Sequence, residues 1–122
     1  MTHEKALEWA REWTANWNRR DVEAVLAGFA EDVEFTSPRL APIIGKTSVT
    51  GKQGLGDYWN RALAAVESIH FDLDFVIADG ARLGIVYTSD INGKRMRSVE
   101  LLDFNSDGLV CRGEAMHGVV LS

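Results

Sequence analysis

Glu100 is the residue of this sequence whose position best suits acid chemistry. Apolar and polar residues alternate around it, so its neighbours on the same strand face would be Met96, Leu102 and Phe104. Burial without a charged partner raises the pKa of a carboxyl group, by up to roughly 3 to 5 units when burial is complete. A neutral carboxyl group can donate a proton or a hydrogen bond, so we predict a catalytic role for Glu100. A structural carboxyl group bonded to Tyr87, Ser98 or a Trp indole is the open alternative.

His117 is the second candidate catalytic residue. It follows Ala115 by two positions and shares its strand face, so a diagonal contact would bring its ring near Glu100. A histidine and a carboxyl group at that distance can form an acid–base pair. Because His117 lies near the end of the chain's last strand, a residue at a pocket rim without a chemical role is the alternative.

Large aromatic rings are the other unusual feature, since the chain contains four tryptophans. Such rings most often form a core, but on helices above a concave sheet they can also enclose an apolar pocket with a few polar points. We predict that one set of rings and polar groups contacts a substrate: Trp13, Trp17, Ser37, Tyr58, Trp59, Tyr87, Met96 and Ser98.

Two further patterns resemble sites but do not predict them. His70, Asp72 and Asp74 are metal-ligand types on one strand face, yet alternate residues lie about 6.6 Å apart and cannot converge. "GKTS" at 45–48 imitates the end of a phosphate-binding loop, but Leu40 stands where that loop needs its first glycine. We therefore predict no metal site and no cofactor.

The elements that must position these residues begin with helices. Apolar side chains recur every three to four residues after Thr2, which predicts an amphipathic helix that ends near residues 18–20. Asp21 is a good N-cap for a second, shorter helix, and a third helix begins after Gly51. Between them, "VEFTS" predicts a short strand and residues 37–50 predict a long loop.

The second half of the chain predicts an antiparallel meander. Alternation over residues 69–77 and in three later runs is typical of strands, and "DG", "NG" and "DG" between the runs favour tight hairpin turns. Two-residue turns at the last two dipeptides predict these cross-strand pairs: Ser89–Met96, Tyr87–Ser98, Ile85–Glu100, Glu100–Ala115 and Ser98–His117.

Helices followed by strands favour an α+β architecture, with helices packed on one face of a curved antiparallel sheet. The face under the helices is predicted to carry Leu83, Ile85, Tyr87, Met96, Ser98, Glu100, Leu102, Phe104, Cys111, Ala115 and His117. The outer face has an apolar centre formed by Val86, Val99, Leu101 and Met116. Because contiguous exposed apolar area is typical of an interface, we predict a homodimer through this outer face.

Bulk properties limit the function further. The 122 residues predict a single domain, 1–122, and a formal charge of -5 without a long cationic run excludes a nucleic-acid partner. No stretch approaches the ~20 apolar residues of a membrane span, and the N-terminus lacks the pattern of a secretory peptide. Together with a single cysteine, Cys111, this predicts a cytoplasmic protein that does not contact a membrane.

Three features together resemble the nuclear transport factor 2-like superfamily, and within it the SnoaL-like bacterial proteins. These are "WNRRDVEAVLAGFAEDVEFTSP", then "GKQGLGDYWNRAL", then hairpin-linked strands. The resemblance covers nearly the whole chain and implies a cystatin-like cone with a pocket between the helices and the concave sheet. The superfamily includes ketosteroid isomerase, epoxide hydrolase, polyketide cyclases and non-catalytic scaffolds.

The resemblance to ketosteroid isomerase implies three positions in that pocket. Trp13 stands where the isomerase has a tyrosine, Ser37 where it has its aspartate base, and Glu100 where it has a neutral acid. Serine cannot accept a proton near neutral pH without help, so the resemblance does not extend to the isomerase base. Ketosteroid isomerase activity itself is therefore not expected.

The function predicted from this combination is binding of a small apolar molecule. The chain would act as an acid–base isomerase, cyclase or hydrolase on a cyclic apolar substrate, by analogy with the family. A ligand carrier or sensor without catalysis, or a dimeric interaction scaffold, remains the alternative. Residues 38–50 would form a mobile lid over the pocket mouth, since this long loop carries apolar side chains that need a surface to cover.

Overall fold

The structure, a computed structural model, describes residues 1–121. In chain order its elements are α1 (His3–Asn18), α2 (Val22–Leu26), β1 (Phe29–Thr36), α3 (Ala41–Ile44), β2 (Ser48–Thr50), α4 (Lys52–Ala64), β3 (Ile69–Asp79), β4 (Arg82–Ile91), β5 (Lys94–Phe104) and β6 (Val110–Val120). The helices pack on one face of a curved, mixed, six-stranded sheet, which confirms the predicted α+β architecture.

Side-chain caps begin the first two helices where the sequence predicts them. The Thr2 hydroxyl accepts a hydrogen bond from the Lys5 amide at 3.1 Å, and the Asp21 carboxylate accepts one from the Ala24 amide at 3.0 Å. These bonds satisfy amides that have no partner within the helix. Between the helices the chain turns at Arg20, whose φ is 58°.

The sheet has the strand order β2-β1-β6-β5-β4-β3, in which only β1 and β6 run parallel. Asn92 and Gly93 form the predicted two-residue turn, with φ of 54° and 84°. All five predicted cross-strand pairs are confirmed, including those that place Glu100 between Ile85 and Ala115. Glu100 therefore lies near the middle of the face that the helices cover.

A bulge in β3 contradicts the alternation predicted for that strand. The register shifts between Leu73 and Phe75, so that Val76 is buried while Phe75 and Ile77 are 49% and 59% exposed. The extra residue, Asp74, accepts a hydrogen bond from the Thr88 hydroxyl at 2.9 Å. Phe75 and Ile77 consequently lie on the outer face instead of under the helices.

A second irregularity places Cys111 differently from the prediction. The register shifts between Asp103 and Phe104, so that Val110 pairs with Phe104 and is fully buried. Cys111 is only half-buried, and its Sγ lies 3.4 Å from the Asp103 carbonyl oxygen. The prediction of Cys111 as an inward-facing residue is therefore wrong, because the bulge gives its place to Val110.

The segment predicted as a loop contains two short elements. Helix α3 starts with a proline in its first turn, and β2 pairs antiparallel with the end of β1. Leu40 is fully buried, and Ile43 and Ile44 pack partly buried against the core. Elements of four and three residues are too short to produce a readable period, which explains why the sequence did not reveal them.

Within residues 1–121, no helix combines the length and the apolar character that a membrane crossing needs.

Candidate functional site

A cavity of about 110 Å³ lies between α1, α4 and the inner face of the sheet. Its buried wall is mainly aromatic and comprises Trp13, Trp17, Phe35, Ser37, Tyr58, Trp59, Leu63, Phe71, Tyr87, Ser89, Glu100 and Ala115. Half-buried residues form the rest of the lining: Arg39, Ala62, Val66, Ile69, Ile91 and His117. These half-buried residues mark the mouth of the cavity.

Helical spacing and strand alternation explain how the aromatic wall forms. Trp13 and Trp17 are four residues apart on α1, so both face the sheet. Phe71 of β3 stacks on Trp13 at 5.5 Å between ring centroids, and Trp59 of α4 meets Trp17 edge-on at 5.0 Å. Aromatic pairs in these arrangements hold each other in place, which gives the cavity a pre-formed apolar surface.

Glu100 is the buried acid of the cavity. Its side chain is 5% exposed, and the Tyr87 hydroxyl donates a hydrogen bond to its Oε2 at 3.0 Å. Burial raises the pKa of Glu100 to about 8, although the Tyr87 hydrogen bond and the positive charge of Arg39 act in the opposite direction. Burial also raises the pKa of Tyr87, next to Glu100. Both groups are therefore protonated near pH 7.

Arg39 is the residue that the sequence analysis missed. It enters the cavity from the segment between β1 and α3, and its Nε donates to Nε2 of His117 at 3.1 Å. One Nη lies 3.5 Å from the Sδ of Met96. The expectation that Glu100 has no charged partner rested on strand faces alone, and Arg39 adds a nearby cation whose effect on the pKa of Glu100 is smaller than that of burial. The signal available was the position of Arg39, two residues after Ser37.

His117 is a neutral ring held from both sides. Burial and the neighbouring Arg39 charge lower its pKa to about 4. Because the Nε of Arg39 can only donate, Nε2 of His117 must accept, and the ring proton then lies on Nδ1. Nδ1 is 2.9 Å from the Ser98 hydroxyl oxygen, to which it donates. No hydrogen bond joins His117 to Glu100 within residues 1–121, so the two predicted catalytic residues share a cavity but not a direct bond.

Most of the predicted substrate-binding residues converge on this cavity. Those that line it are Trp13, Trp17, Ser37, Tyr58, Trp59 and Tyr87, together with Glu100 and His117. Met96 and Ser98 do not line it, but they contact Arg39 and His117 from behind. The catalytic and substrate-binding roles of these residues remain predictions.

The three positions implied by the isomerase resemblance also meet here. Trp13, Ser37 and Glu100 line the same cavity. Ser37 is 3% exposed, and its hydroxyl accepts a hydrogen bond from the Arg39 backbone amide at 3.2 Å. Among the described residues, Glu100 is the only carboxyl group in the lining, so no ionised carboxylate is available there as a base.

Trp17 carries an unsatisfied polar group at the cavity wall. Its side chain is 7% exposed, and its Nε1 is buried without a hydrogen-bond partner in residues 1–121. An unpaired buried donor destabilises a fold by roughly 1–3 kcal/mol.

The histidine and aspartates of β3 lie outside the cavity. His70 Nε2 and Asp72 Oδ1 are 3.0 Å apart and strongly exposed, while Asp74 bonds to Thr88. In the part of the chain that the structure describes, no three His, Cys, Asp or Glu residues are arranged to hold a metal ion.

Known proteins share this arrangement of elements. Residues 10–113 match the SnoaL-like domain family, whereas no curated protein matches the chain. A SnoaL-like protein of unknown function from Burkholderia thailandensis has a TM-score of 0.88 and 28% identity, over 97% of this chain and 98% of that one.

Two further solved structures show the fold at lower identity. TerC, co-crystallised with polyporic acid, has a TM-score of 0.77 and 20% identity, over 93% of this chain and 91% of its own. A protein from Kribbella flavida whose suggested activity is ketosteroid isomerisation has a TM-score of 0.74 and 21% identity, over 98% and 82%. These likenesses confirm the cystatin-like cone. The match over residues 10–113, together with the helix-covered cavity, establishes that the chain belongs to the SnoaL-like family.

Proposed function

We propose that the chain binds a small cyclic molecule in its aromatic cavity and that neutral Glu100 donates a hydrogen bond or a proton to a carbonyl oxygen of that molecule. The observation that carries this proposal is the burial of Glu100 in the cavity lining with Tyr87 as its hydrogen-bond partner. Since Tyr87 donates to one carboxyl oxygen, the proton on the other oxygen is free to face a ligand.

A neutral acid in an apolar site suits reactions that develop negative charge on oxygen. Donors that are already in place stabilise an enolate or alkoxide without reorganisation, and they act more strongly where water is excluded. The aromatic wall formed by Trp13, Trp59 and Phe71 would hold a flat ring against Glu100. TerC, which has the same fold, was co-crystallised with polyporic acid, and this supports a small organic ligand for the present chain.

Substitution of Glu100 by glutamine tests the role of the acidic proton. Glu100→Gln keeps the size of the side chain but replaces the carboxyl proton with weaker amide donors. We expect affinity for a phenolate probe such as 4-nitrophenolate, measured by absorbance titration, to fall about 5- to 10-fold, as for loss of one good hydrogen bond. Glu114→Gln, at an exposed position, is the matched control. Equal affinity in both variants would show that Glu100 has only a structural role.

A ligand carrier or sensor is the second candidate. His117 has both ring nitrogens engaged and a lowered pKa, and Ser37 occupies the position of the isomerase base. A cavity with a proton donor but without an evident base favours binding over turnover.

The two candidates differ in what the purified protein retains. We expect a carrier to retain its ligand, so mass spectrometry of compounds released from freshly purified protein would detect a stoichiometric cyclic molecule. For an enzyme, we expect that adding fresh protein to the released compound, or to its precursor, would convert it into a different compound in the mass spectrum. Absence of any cavity ligand, combined with no binding of aromatic probes, would favour the interaction scaffold.

A further inference from the structure

We propose that Arg39 makes the cavity selective for a cyclic monoanion, in which a carboxylate, enolate or phenolate group is attached directly to a ring. The proposal rests on the proposed function, because it specifies the charge of the molecule that the cavity binds. It assigns the anion-binding role to a residue outside the three positions that the family resemblance implies.

The guanidinium group of Arg39 has donors to spare. A guanidinium carries five N–H groups, and those of Arg39 have two partners in residues 1–121, His117 Nε2 at 3.1 Å and Met96 Sδ at 3.5 Å. Neither partner carries a negative charge, and no Asp or Glu oxygen of the described residues lies within 4.0 Å of Arg39. A half-buried cation without an anion is thus held at the cavity mouth, where bidentate binding of a carboxylate is geometrically natural.

The titratable side chains that line the cavity have a net charge of one positive unit near pH 7, and Arg39 carries it. The other titratable side chains in the lining are Tyr58, Tyr87, Glu100 and His117. Burial raises the pKa of both tyrosines and of Glu100 and lowers that of His117, so all four are neutral near pH 7. A ligand with one negative charge would balance the cavity, whereas a dianion would leave an unpaired charge in apolar surroundings.

His117 and Ser98 act through Arg39 as positioning residues. The Ser98 hydroxyl fixes the His117 ring at 2.9 Å, and the free lone pair on Nε2 then accepts from Nε of Arg39. This chain of two bonds holds the guanidinium at the cavity lining through its Nε–H. The Nη groups, one of which lies 3.5 Å from Met96 Sδ, carry the remaining N–H donors for a ligand.

The carboxyl proton of Glu100 favours a ligand with hydrogen-bond acceptors, because it is a donor in the cavity lining like the N–H groups of Arg39. The cavity of about 110 Å³ is smaller than the ~150 Å³ cavity that binds benzene, so a single six-membered ring would already fill it and reach its mouth. Larger ligands would extend through the mouth between Val66 and Ile91.

Pairs of acids and neutral amides of the same shape test the charge preference directly. The probes are benzoate with benzamide and salicylate with salicylamide, titrated against the full chain by tryptophan fluorescence and calorimetry. We expect the acid of each pair to bind about tenfold more tightly, and Arg39→Gln to abolish this preference mainly by weakening binding of the acid. Arg39→Lys should retain part of it. Arg95→Gln, which removes an exposed arginine at the β4–β5 turn, should leave it intact.

The positioning role of His117 is tested by the ratio of acid affinity to amide affinity. His117→Phe removes the acceptor for Arg39 and should reduce the ratio of acid to amide affinity, whereas His117→Gln, whose amide oxygen can accept, should restore part of that ratio. A purely structural role for His117 would lower both affinities equally.

The outcomes separate the proposal from the function on which it rests. If the amides bind but the acids bind no better, or if the preference persists in Arg39→Gln, the monoanion proposal is overturned and the aromatic pocket remains. If none of the four probes binds at millimolar concentration, both are overturned.

Discussion

At the scale of single residues, Glu100 controls how stability should depend on pH. Its pKa is raised to about 8 in the fold from the ordinary value of 4.5, so the folded protein holds a proton that the unfolded chain has lost between these pH values. Stability contributed by the neutral group is therefore full below about pH 4.5 and is lost as pH rises towards 8. Tyr87, Arg39 and the apolar wall are the groups that face Glu100.

The pH dependence can be measured by urea unfolding at pH 5 and pH 8. We expect Glu100→Gln to match the parent chain at pH 5 and to exceed its free energy of unfolding at pH 8, by on the order of a few kcal/mol, because the amide never ionises. Exposed Glu114→Gln should follow the parent at both pH values. Parallel behaviour of Glu100→Gln and the parent would mean that Glu100 ionises normally in the fold.

At the scale of elements, residues 38–50 remain a predicted lid. The structure adds that one residue of this segment, Arg39, lines the cavity. Opening of the segment would remove the cation from the cavity, while buried Leu40 opposes opening. We expect amide exchange over residues 38–50 to be faster than in β4 and β5 without ligand, and to slow when benzoate binds. Exchange as slow as that of the central strands would contradict the lid.

The elements also show which parts of the site the sequence could predict. The dipeptide at Asn92-Gly93 fixes the turn and with it the pairing of Glu100, because a two-residue turn sets the register of a whole hairpin. The α1 stripe likewise places Trp13 and Trp17 correctly. Local signals of this kind depend only on neighbouring residues.

What could not be predicted depends on contacts between distant segments. A bulge such as that at Asp74 breaks alternation without a signature of its own, and its hydrogen bond to Thr88 joins two strands. Arg39 enters the cavity because of how its loop is folded, which no periodicity records. The sequence therefore predicted the acid of the site but not the cation beside it.

At the scale of the whole molecule, the outer sheet face remains the predicted dimer interface. One apolar row crosses four adjacent strands through the pairs Phe75–Val86, Val86–Val99 and Val99–Met116. Phe75 and Met116 are 49% and 41% exposed in the isolated chain. An apolar row that is continuous across a sheet is a surface that a second copy could cover.

Introducing a charge into the centre of this row tests the interface. Val99→Glu should yield monomers in sedimentation velocity, since association would bury an unpaired carboxylate. Ala64→Glu, on an exposed helical surface, is the matched control and should leave the oligomeric state unchanged. Persistence of dimers in Val99→Glu would place the interface elsewhere.

The bulge at Asp74 means that a single strand serves two surfaces. Before it, Phe71 stacks in the cavity wall, and after it, Phe75 begins the outer apolar row. If the chain associates through this row and also binds a ligand in the cavity, β3 contacts both surfaces and could couple the two events. Such coupling is reciprocal, so any change that the ligand makes to the association constant is returned as an equal change in ligand affinity. The apparent affinity for the ligand would then depend on the concentration of the protein.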